Sequence, residues 1–415
     1  MSMRKIPGGV TAAKGFQAAH CAAGIKYRGR DDMAMIYSTS PCRAAGTFTT
    51  NRVKAAPVVW DQRIVYEEKT AQAVVVNAGI ANAATGDAGM ALCQKTAECA
   101  AKALNIAPER VLLGSTGVIG PQIPLDRISE GVKLLAASLS DTLEAGTDAS
   151  RAIMTTDTVN KEFAVEFDLP AAEGEGSVTV RLGGMSKGSG MIHPNMCTML
   201  GYVTCDCDIA QPLLQKALSR VVPDTFNMIT VDGDTSTNDT LLVLCNGQAG
   251  NRPIQAEDES YEAFCEALFS VCRDLAVKMA GDGEGATKLI EMRVYGADTK
   301  ENARALARSV VGSSLVKAMV FGKDANCGRI LCALGYAGPD FDPAKIEVYL
   351  HGEKETLCFY RDGRVEEFDE EKALAILSED QARFSCDMKM GDQEATAWGC
   401  DLTYDYVKIN GDYRS

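Results

Sequence analysis

The stretch MSKGSGMIHPNMCTMLG, residues 185–201, is the segment from which the fold of this chain is inferred. Lys187 stands in a glycine-rich loop, and a methionine-rich apolar run follows it with one hydroxyl, on Thr198. The segment is not a P-loop, because the order G-x-x-x-x-G-K-[ST] is absent from it. Without its neighbours, Thr198 is more typical of a buried strand than of a nucleophile, so the surrounding sequence has to decide.

The segments around this stretch mix strands with helices. Apolar runs and alternating patterns predict seven strands, at 33–50, 72–76, 162–169, 177–182, 287–295, 344–350 and 394–409. Helical periodicity predicts four helices, at 88–104, 126–145, 262–280 and 300–320. Asp87 and Asp126 are the expected caps of the first two helices. The mixture predicts an α/β or α+β fold without the regular alternation of a doubly wound sheet.

The composition is that of a globular, acidic protein. The 415 residues predict two or three domains, and 46% hydrophobic residues exclude wholesale disorder. A formal net charge of −14 argues against nucleic acid or an anionic membrane as a partner.

The histidines and cysteines of the chain indicate which metal sites and which cellular compartment to expect. The three histidines, His20, His193 and His351, make a histidine-rich metal site improbable, so no metal is expected. The 15 cysteines show no zinc-type pairing, and neither a signal-like start nor a membrane-spanning run is evident. We therefore expect reduced thiols in a cytoplasmic protein.

Two further loops carry groups that can bind a ligand. The run GSTGVIG, residues 114–120, follows an apolar strand, and its N–H groups can converge on one oxygen or form a plain tight turn. Pro121 and Pro124 stand where a dinucleotide-binding motif would need its helix. In GDGEGATK, residues 281–288, the Glu284 carboxylate either holds an ammonium group or is solvated in a surface turn.

Taken in order, these segments resemble the ornithine acetyltransferase family, also called bifunctional glutamate N-acetyltransferase, of arginine biosynthesis. The matching motifs are STGVIG at 115–120, IMTTDT at 153–158, KGSGMIHPNMCTML at 187–200, TVDGDTSTNDT at 230–240, EGATK at 284–288, GRI at 328–330 and INGDYRS at 409–415. The resemblance extends from Pro7 to Ser415, with two departures. Cys197 replaces the family's usual alanine. Cys327 replaces its usual tryptophan, and the missing indole predicts either a void or looser packing of the substrate.

The resemblance implies a layered α/β sandwich of the self-cleaving ornithine acetyltransferase and aminopeptidase type. It also implies a smaller C-terminal α+β domain over about 290–415. The precursor is expected to cut itself between Cys197 and Thr198, giving an α chain, 1–197, and a β chain, 198–415. Two copies of each chain are expected to form a heterotetramer.

The implied reaction moves acetyl from N-acetyl-L-ornithine to L-glutamate by ping-pong transfer through Thr198, without a cofactor. Acetyl-CoA remains open as a second donor. The base is expected to be the α-amine of Thr198 rather than His193, with Thr116 and Gly117 binding the oxyanion. The residues implied in substrate binding are Thr155, Thr156, Lys187, Thr198, Glu284, Asn410 and Ser415. The alternative is a related self-cleaving aminopeptidase or amidase, which normally uses serine after the cut.

Overall fold

The computed structural model describes residues 3–193 and 199–412, so the predicted residues Cys197, Thr198 and Ser415 lie outside it. The chain forms two compact units. Unit 1 takes the described residues of 1–188, 194–226 and 235–275, and unit 2 takes those of 189–193, 227–234 and 276–415. Two short segments, 189–193 and 227–234, thus belong to unit 2 although the chain on both sides of each belongs to unit 1.

Strands and helices are mixed throughout the described residues, which confirms the predicted α/β class. The strands are β1 (Arg4–Ile6), β2 (Phe16–Cys21), β3 (Met33–Phe48), β4 (Thr70–Asn77), β5 (Ile80–Ala81), β6 (Val111–Ser115), β7 (Val118–Ile119), β8 (Lys161–Pro170), β9 (Ser177–Lys187), β10 (Leu200–Cys205), β11 (Ile229–Thr230), β12 (Thr240–Cys245), β13 (Leu289–Ala297), β14 (Glu347–His351), β15 (Thr356–Arg361), β16 (Arg364–Val365), β17 (Gln381–Asp387) and β18 (Gln393–Cys400). The helices are α1 (Ala56–Arg63), α2 (Gly86–Leu104), α3 (Leu125–Ala137), α4 (Leu143–Ala152), α5 (Gln211–Val221), α6 (Glu259–Gly281), α7 (Lys300–Gly312), α8 (Ser314–Gly322), α9 (Cys327–Gly335), α10 (Glu370–Leu377) and α11 (Tyr404–Gly411).

Unit 1 is built on a nine-stranded sheet among its described residues. The order is β1-β8-β9-β10-β12-β3-β4-β6, and β2 pairs with β3. Strands β4, β6, β10 and β12 are buried almost throughout and rich in apolar residues, as is typical of strands covered on both faces. Helices α1 to α5 pack on the strands of this sheet.

Two side chains, Tyr202 and Asp61, lie directly against the backbone of strand β6. A Cβ at Gly114 would lie 1.9 Å from the Tyr202 hydroxyl, so glycine is required there. The N–H of the preceding Leu113 donates to Asp61 Oδ1 at 2.8 Å. Asp61 is fully buried, and that burial raises the pKa of its carboxyl. The strand end at Ser115, which leads into the predicted oxyanion turn, is therefore firmly placed.

Unit 2 contains a seven-stranded sheet in its described part, in the order β11-β18-β13-β17-β14-β15-β16. Strand β13 pairs parallel with β17 and antiparallel with β18. Helix α7 packs against β13 and β18 and covers their apolar side chains. This sheet carries the loop 281–288 at one end of β13 and leads through β18 into α11.

Three predicted elements are wrong in extent, each because hydroxyl side chains end or begin a helix. The helix predicted at 126–145 is two helices, since Ser140 pairs with the backbone of Ala18 and the Thr142 hydroxyl caps α4. The helix predicted at 300–320 breaks at Ser313, whose hydroxyl caps α8. The strand predicted at 394–409 ends at Cys400, and Thr403 caps α11.

Both predicted caps are also wrong. Asp87 and Asp126 lie in the first turns of α2 and α3, where the cap positions are Thr85 and Pro124. An acidic side chain in the first turn still interacts favourably with the positive end of the helix dipole, which explains its presence there.

Fourteen described cysteines are free thiols, and most are buried. No single helix of the described residues is long and apolar enough to cross a bilayer. By length and composition only, α7 and α8, bent by 54°, pass that test as a pair.

Candidate active site

The turn after β6 has the shape of an oxyanion-binding turn. Gly117 has φ +129°, and a Cβ there would lie 2.2 Å from the carbonyl carbon of Gly79. The Thr116 N–H donates to Asn77 O at 3.0 Å, and the Val118 N–H donates to Gly79 O at 3.1 Å. Only glycine fits the middle of this turn, and bonds on both sides hold it in place.

Both predicted oxyanion donors of this turn are available. Within residues 3–193 and 199–412, neither the Gly117 N–H nor the Thr116 hydroxyl hydrogen-bonds to another residue. Both residues are partly exposed. A free backbone N–H beside a free hydroxyl can bind the negative oxygen of a tetrahedral intermediate.

The residue that follows the predicted nucleophile, Met199, precedes the strand that pairs with Lys187. Strand β10 begins at Leu200, which pairs with Lys187 on one side and Thr240 on the other. The carbonyl of Met199 accepts the Thr240 N–H at 2.8 Å. The side-chain amide of Asn238 donates to Ser115 O at 2.8 Å, which ties the start of β12 to the oxyanion turn. Sheet pairing thus places Lys187, Leu200 and Thr240 side by side, and the Asn238 bond links them to Ser115, which is in register, through β4, with the other end of β3.

A buried carboxyl that the sequence analysis missed, Asp239, stands beside Met199. Burial raises its pKa well above the ordinary value, against the opposing effects of the Ser236 and Thr49 hydroxyls, the Lys187 ammonium and the Met199 N–H. Its Oδ2 has no hydrogen-bond partner among the described residues. The pattern STNDT contains this aspartate, but nothing in its spacing distinguishes it from a strand-capping residue.

A second missed carboxylate, Asp157, organises Lys187 and the loop that carries Thr155. Its Oδ1 accepts Lys161 Nζ and the Gly188 N–H, both at 2.7 Å, and its Oδ2 accepts the Thr155 N–H at 3.1 Å. Lys187 Nζ lies 3.8 Å from Oδ2. Burial raises the pKa of Asp157, but Lys187, Lys161 and the Gly188 N–H outweigh it and leave the pKa below its usual range.

In unit 2 the structure brings Glu284 and Asn410 together. The Asn410 side-chain amide donates to Glu284 Oε2 at 2.7 Å, and Glu284 is 6% exposed. A Cβ at Gly190 would lie 2.4 Å from the Glu284 carboxylate, so the carboxylate packs against bare backbone. At Gly285, with φ +69°, a Cβ would meet the Tyr406 N at 2.7 Å. Gly190 and Gly285 are therefore required by close packing.

His193 is not free to act as a base. Its Nδ1 lies 3.0 Å from Thr230 Oγ1, and Arg308 Nη2 donates to its Nε2 at 3.2 Å. Because arginine only donates, Nε2 is the acceptor and Nδ1 carries the proton. Burial and the Arg308 charge lower the pKa of His193.

An open cleft of about 730 Å³ in unit 2 is lined by Cys327. Cys327 begins α9, and Asn326, Gly328 and Phe368 lie beside it in the cleft wall. Cys327 is the position at which the sequence analysis predicts a void or looser packing, because cysteine is shorter than the family's usual tryptophan. In the part of the chain that the structure describes, no group of three or more His, Cys, Asp or Glu residues could hold a metal ion.

A glycine-centred turn with an unbonded N–H beside an unbonded hydroxyl is a donor arrangement of the kind that acyl-transfer enzymes use. The ArgJ family model matches residues 17–415, and the chain belongs to the ArgJ family.

Similar proteins carry the same family name. The arginine biosynthesis bifunctional protein ArgJ of Symbiobacterium thermophilum is 52% identical over 415 residues and covers 100% of both chains. ArgJ 1 of Clostridium acetobutylicum is 48% identical, over 98% of this chain and 97% of its own. The solved ornithine acetyltransferase of Mycobacterium tuberculosis, complexed with ornithine, is 40% identical over 47% of this chain and 99% of its own, with a TM-score of 0.42.

Proposed function

We propose that this chain is a bifunctional enzyme of arginine biosynthesis that moves the acetyl group of N-acetyl-L-ornithine to L-glutamate. Family membership supports the reaction class. The structural observation that carries the proposal is that Leu200, two residues after Thr198, pairs with Lys187, while Asn238, two residues before the Thr240 that bonds Met199, donates to Ser115 at the start of the oxyanion turn.

We propose that the chain first cuts itself. Thr198 Oγ attacks the carbonyl carbon of Cys197, the C–N bond breaks, and the nitrogen becomes the α-amine of Thr198. Water then hydrolyses the resulting ester, which leaves a carboxyl on Cys197 and a free hydroxyl on Thr198. The products are an α chain, 1–197, and a β chain, 198–415.

In the cleaved enzyme, the α-amine takes the proton of the Thr198 hydroxyl, since a hydroxyl needs a nearby base in order to attack. The ordinary pKa of such an amine, about 7.7–8.0, suits this role. The oxygen attacks the acetyl carbonyl, and the developing oxyanion is bound by the Gly117 N–H and the Thr116 hydroxyl. Ornithine leaves, and glutamate then accepts the acetyl group from the acetyl-Thr198 ester.

Substrate charges are matched by groups of opposite sign. Lys187 is proposed to bind a substrate carboxylate, and the hydroxyls of Thr155 and Thr156 are proposed to donate hydrogen bonds to it. Glu284, supported by Asn410, is proposed to pair with the ammonium group of ornithine.

Ser415 is proposed to contribute to substrate binding from the carboxyl end. Acetyl-CoA is proposed as a second acetyl donor, in keeping with the bifunctional name of the relatives. We further propose a cytoplasmic heterotetramer of two α and two β chains.

The deciding experiment combines intact mass with an acetyl-transfer assay. The wild-type chain should appear as two fragments that meet at Cys197 and Thr198, and Thr198→Ala should remain uncut and inactive. Initial rates with N-acetylornithine and glutamate should give parallel, ping-pong lines. An uncut, inactive wild-type chain or intersecting lines would contradict the proposal, and hydrolysis of peptides without acetyl transfer would identify an aminopeptidase instead.

A further inference from the structure

The segment 189–193, just before the predicted cut, contains a strained turn. Met191 has φ +54°, in the left-handed region that residues other than glycine, asparagine and aspartate seldom adopt. Its side chain is exposed, so side-chain packing does not explain the conformation. Something else in unit 2 must stabilise this backbone.

The Asp232 carboxylate supplies that stabilisation. Its Oδ2 accepts the Met191 N–H at 2.6 Å, and its Oδ1 accepts the Ile192 N–H at 2.9 Å. Two consecutive N–H groups that converge on one carboxylate form an anion-binding nest. We call the Asp232 carboxylate with the N–H groups of Met191 and Ile192 the Asp232 clamp.

Further contacts hold both ends of the same segment within unit 2. The Ile192 carbonyl accepts the Val231 N–H at 2.6 Å, and the Ser189 carbonyl accepts the Glu284 N–H at 2.9 Å. His193 closes the segment through its contacts with Thr230 and Arg308. The chain is therefore fixed up to four residues before Cys197.

We propose that Asp232 is a positioning residue for self-cleavage, because the Asp232 clamp fixes the chain directly before the segment that is cut. The inference rests on the proposed function, which assigns the cut to the bond between Cys197 and Thr198. Asp232 acts on that bond through the backbone of Met191 and Ile192, and it exchanges no proton with it.

The physical reason is the freedom that the clamp removes. On the far side of the cut, Met199 is fixed separately in unit 1 by its bond from Thr240. Attack of a hydroxyl on the preceding carbonyl requires one particular backbone arrangement, and a chain whose residues before the cut are already held by Asp232 reaches it with less loss of entropy. Releasing one end should slow the cut without touching the reacting atoms.

The first test compares Asp232→Asn with Asp234→Asn in a cell-free translation time course, read by denaturing gel and intact mass. The Asp232 carboxylate also accepts the Asp234 N–H at 3.2 Å, so asparagine leaves one acceptor oxygen and no charge for three N–H groups, and we expect cleavage about tenfold slower or more. Asp234 is exposed and two residues away, and its variant should cleave within about twofold of the wild type, because exposed charges contribute little.

The second test is a rescue that general destabilisation would not produce. Adding Met191→Gly to Asp232→Asn should restore most of the cleavage rate, because glycine takes a positive φ without cost. Adding Met191→Ala should restore none of it, because alanine meets the same backbone penalty as methionine. Rescue by both substitutions or by neither would overturn the clamp.

The outcomes separate this inference from the proposed function. A wild-type chain that is never cut between Cys197 and Thr198 defeats the proposed function. A wild-type chain that is cut there, with Asp232→Asn cut equally fast, defeats only the clamp. If Asp232→Asn does not fold, Asp232→Glu keeps the charge but moves the carboxylate by one methylene relative to the Met191 and Ile192 N–H groups. Slower cleavage of that variant supports the clamp, and an unchanged rate overturns it.

Discussion

Asp157 Oδ1 accepts the backbone N–H of Gly188 at 2.7 Å, and Gly188 directly follows Lys187. The same oxygen receives the ammonium of Lys161, which is 0% exposed. A single buried carboxylate thus neutralises one lysine, lies beside a second and fixes the backbone between strand and loop. This relationship makes Asp157 the most testable residue of unit 1.

Asp157→Asn should destabilise the protein by about 3–5 kcal/mol, because it leaves Lys161 buried without its charge partner. Denaturant unfolding measures the change. Asp148→Asn is the control, since it breaks an ion pair with Arg151, whose side chain is 61% exposed, and should cost under about 1 kcal/mol. Equal losses in the two variants would contradict the assigned role.

Gly117→Ala should lower kcat by about 10²–10³-fold, because a Cβ would strike the Gly79 carbonyl and displace an oxyanion donor. Gly120→Ala is a matched control. Gly120 also has a positive φ, +106°, but a Cβ there would meet nothing within 4 Å. Steady-state transfer assays decide between them, and comparable kcat losses would point to backbone strain rather than to a lost donor.

Glu284→Gln should raise KM for N-acetylornithine about tenfold or more, because it removes the charge opposite the substrate ammonium. Self-cleavage should proceed normally, since the change leaves the Glu284 N–H bond to Ser189 in place. Glu301→Gln, on the exposed first turn of α7, is the control and should leave KM unchanged. An unaltered KM in Glu284→Gln would refute the ammonium role.

Stability should fall as the pH drops below about 6.5, in part through His193. Burial and Arg308 lower the pKa of His193 in the folded protein, so the unfolded chain binds the proton first and becomes favoured as the pH falls. Thermal unfolding between about pH 5 and 8 measures this contribution. The unfolding temperature of His193→Gln should fall less steeply with decreasing pH than that of the wild type. An identical slope would exclude His193 as a contributor.

Several parts of the fold were predictable because they depend on local pattern. The apolar run at 72–76 predicts a buried strand, and β4 is that strand. The stripe at 262–280 predicts a long helix, and α6 runs from Glu259 to Gly281. Element ends were less predictable, because Ser313 and Thr403 act as caps only when the backbone around them is already placed.

The candidate site also contains both residues that the sequence makes candidates and residues that it does not. Gly117 and Glu284 stand in glycine-rich loops that make them candidates, and the family motifs rather than that composition predict their roles. Asp157 and Asp239 carry no such mark, since an aspartate between threonines or before a strand is common at the surface. Their burial, and the lysines that face them, become visible only when strands distant in sequence are paired.

The sequence by itself determined the family, the predicted nucleophile at Thr198, the bond expected to be cut and the class of substrate. Those properties depend on ordered motifs and on the chemistry of single side chains. Tertiary structure decided which carboxylates are buried, that both nitrogens of His193 are engaged, and that Asp232 holds Met191 in a left-handed turn. The reason is physical: burial, hydrogen-bond partners and backbone strain are relations between residues far apart in the chain, and only the folded backbone creates them.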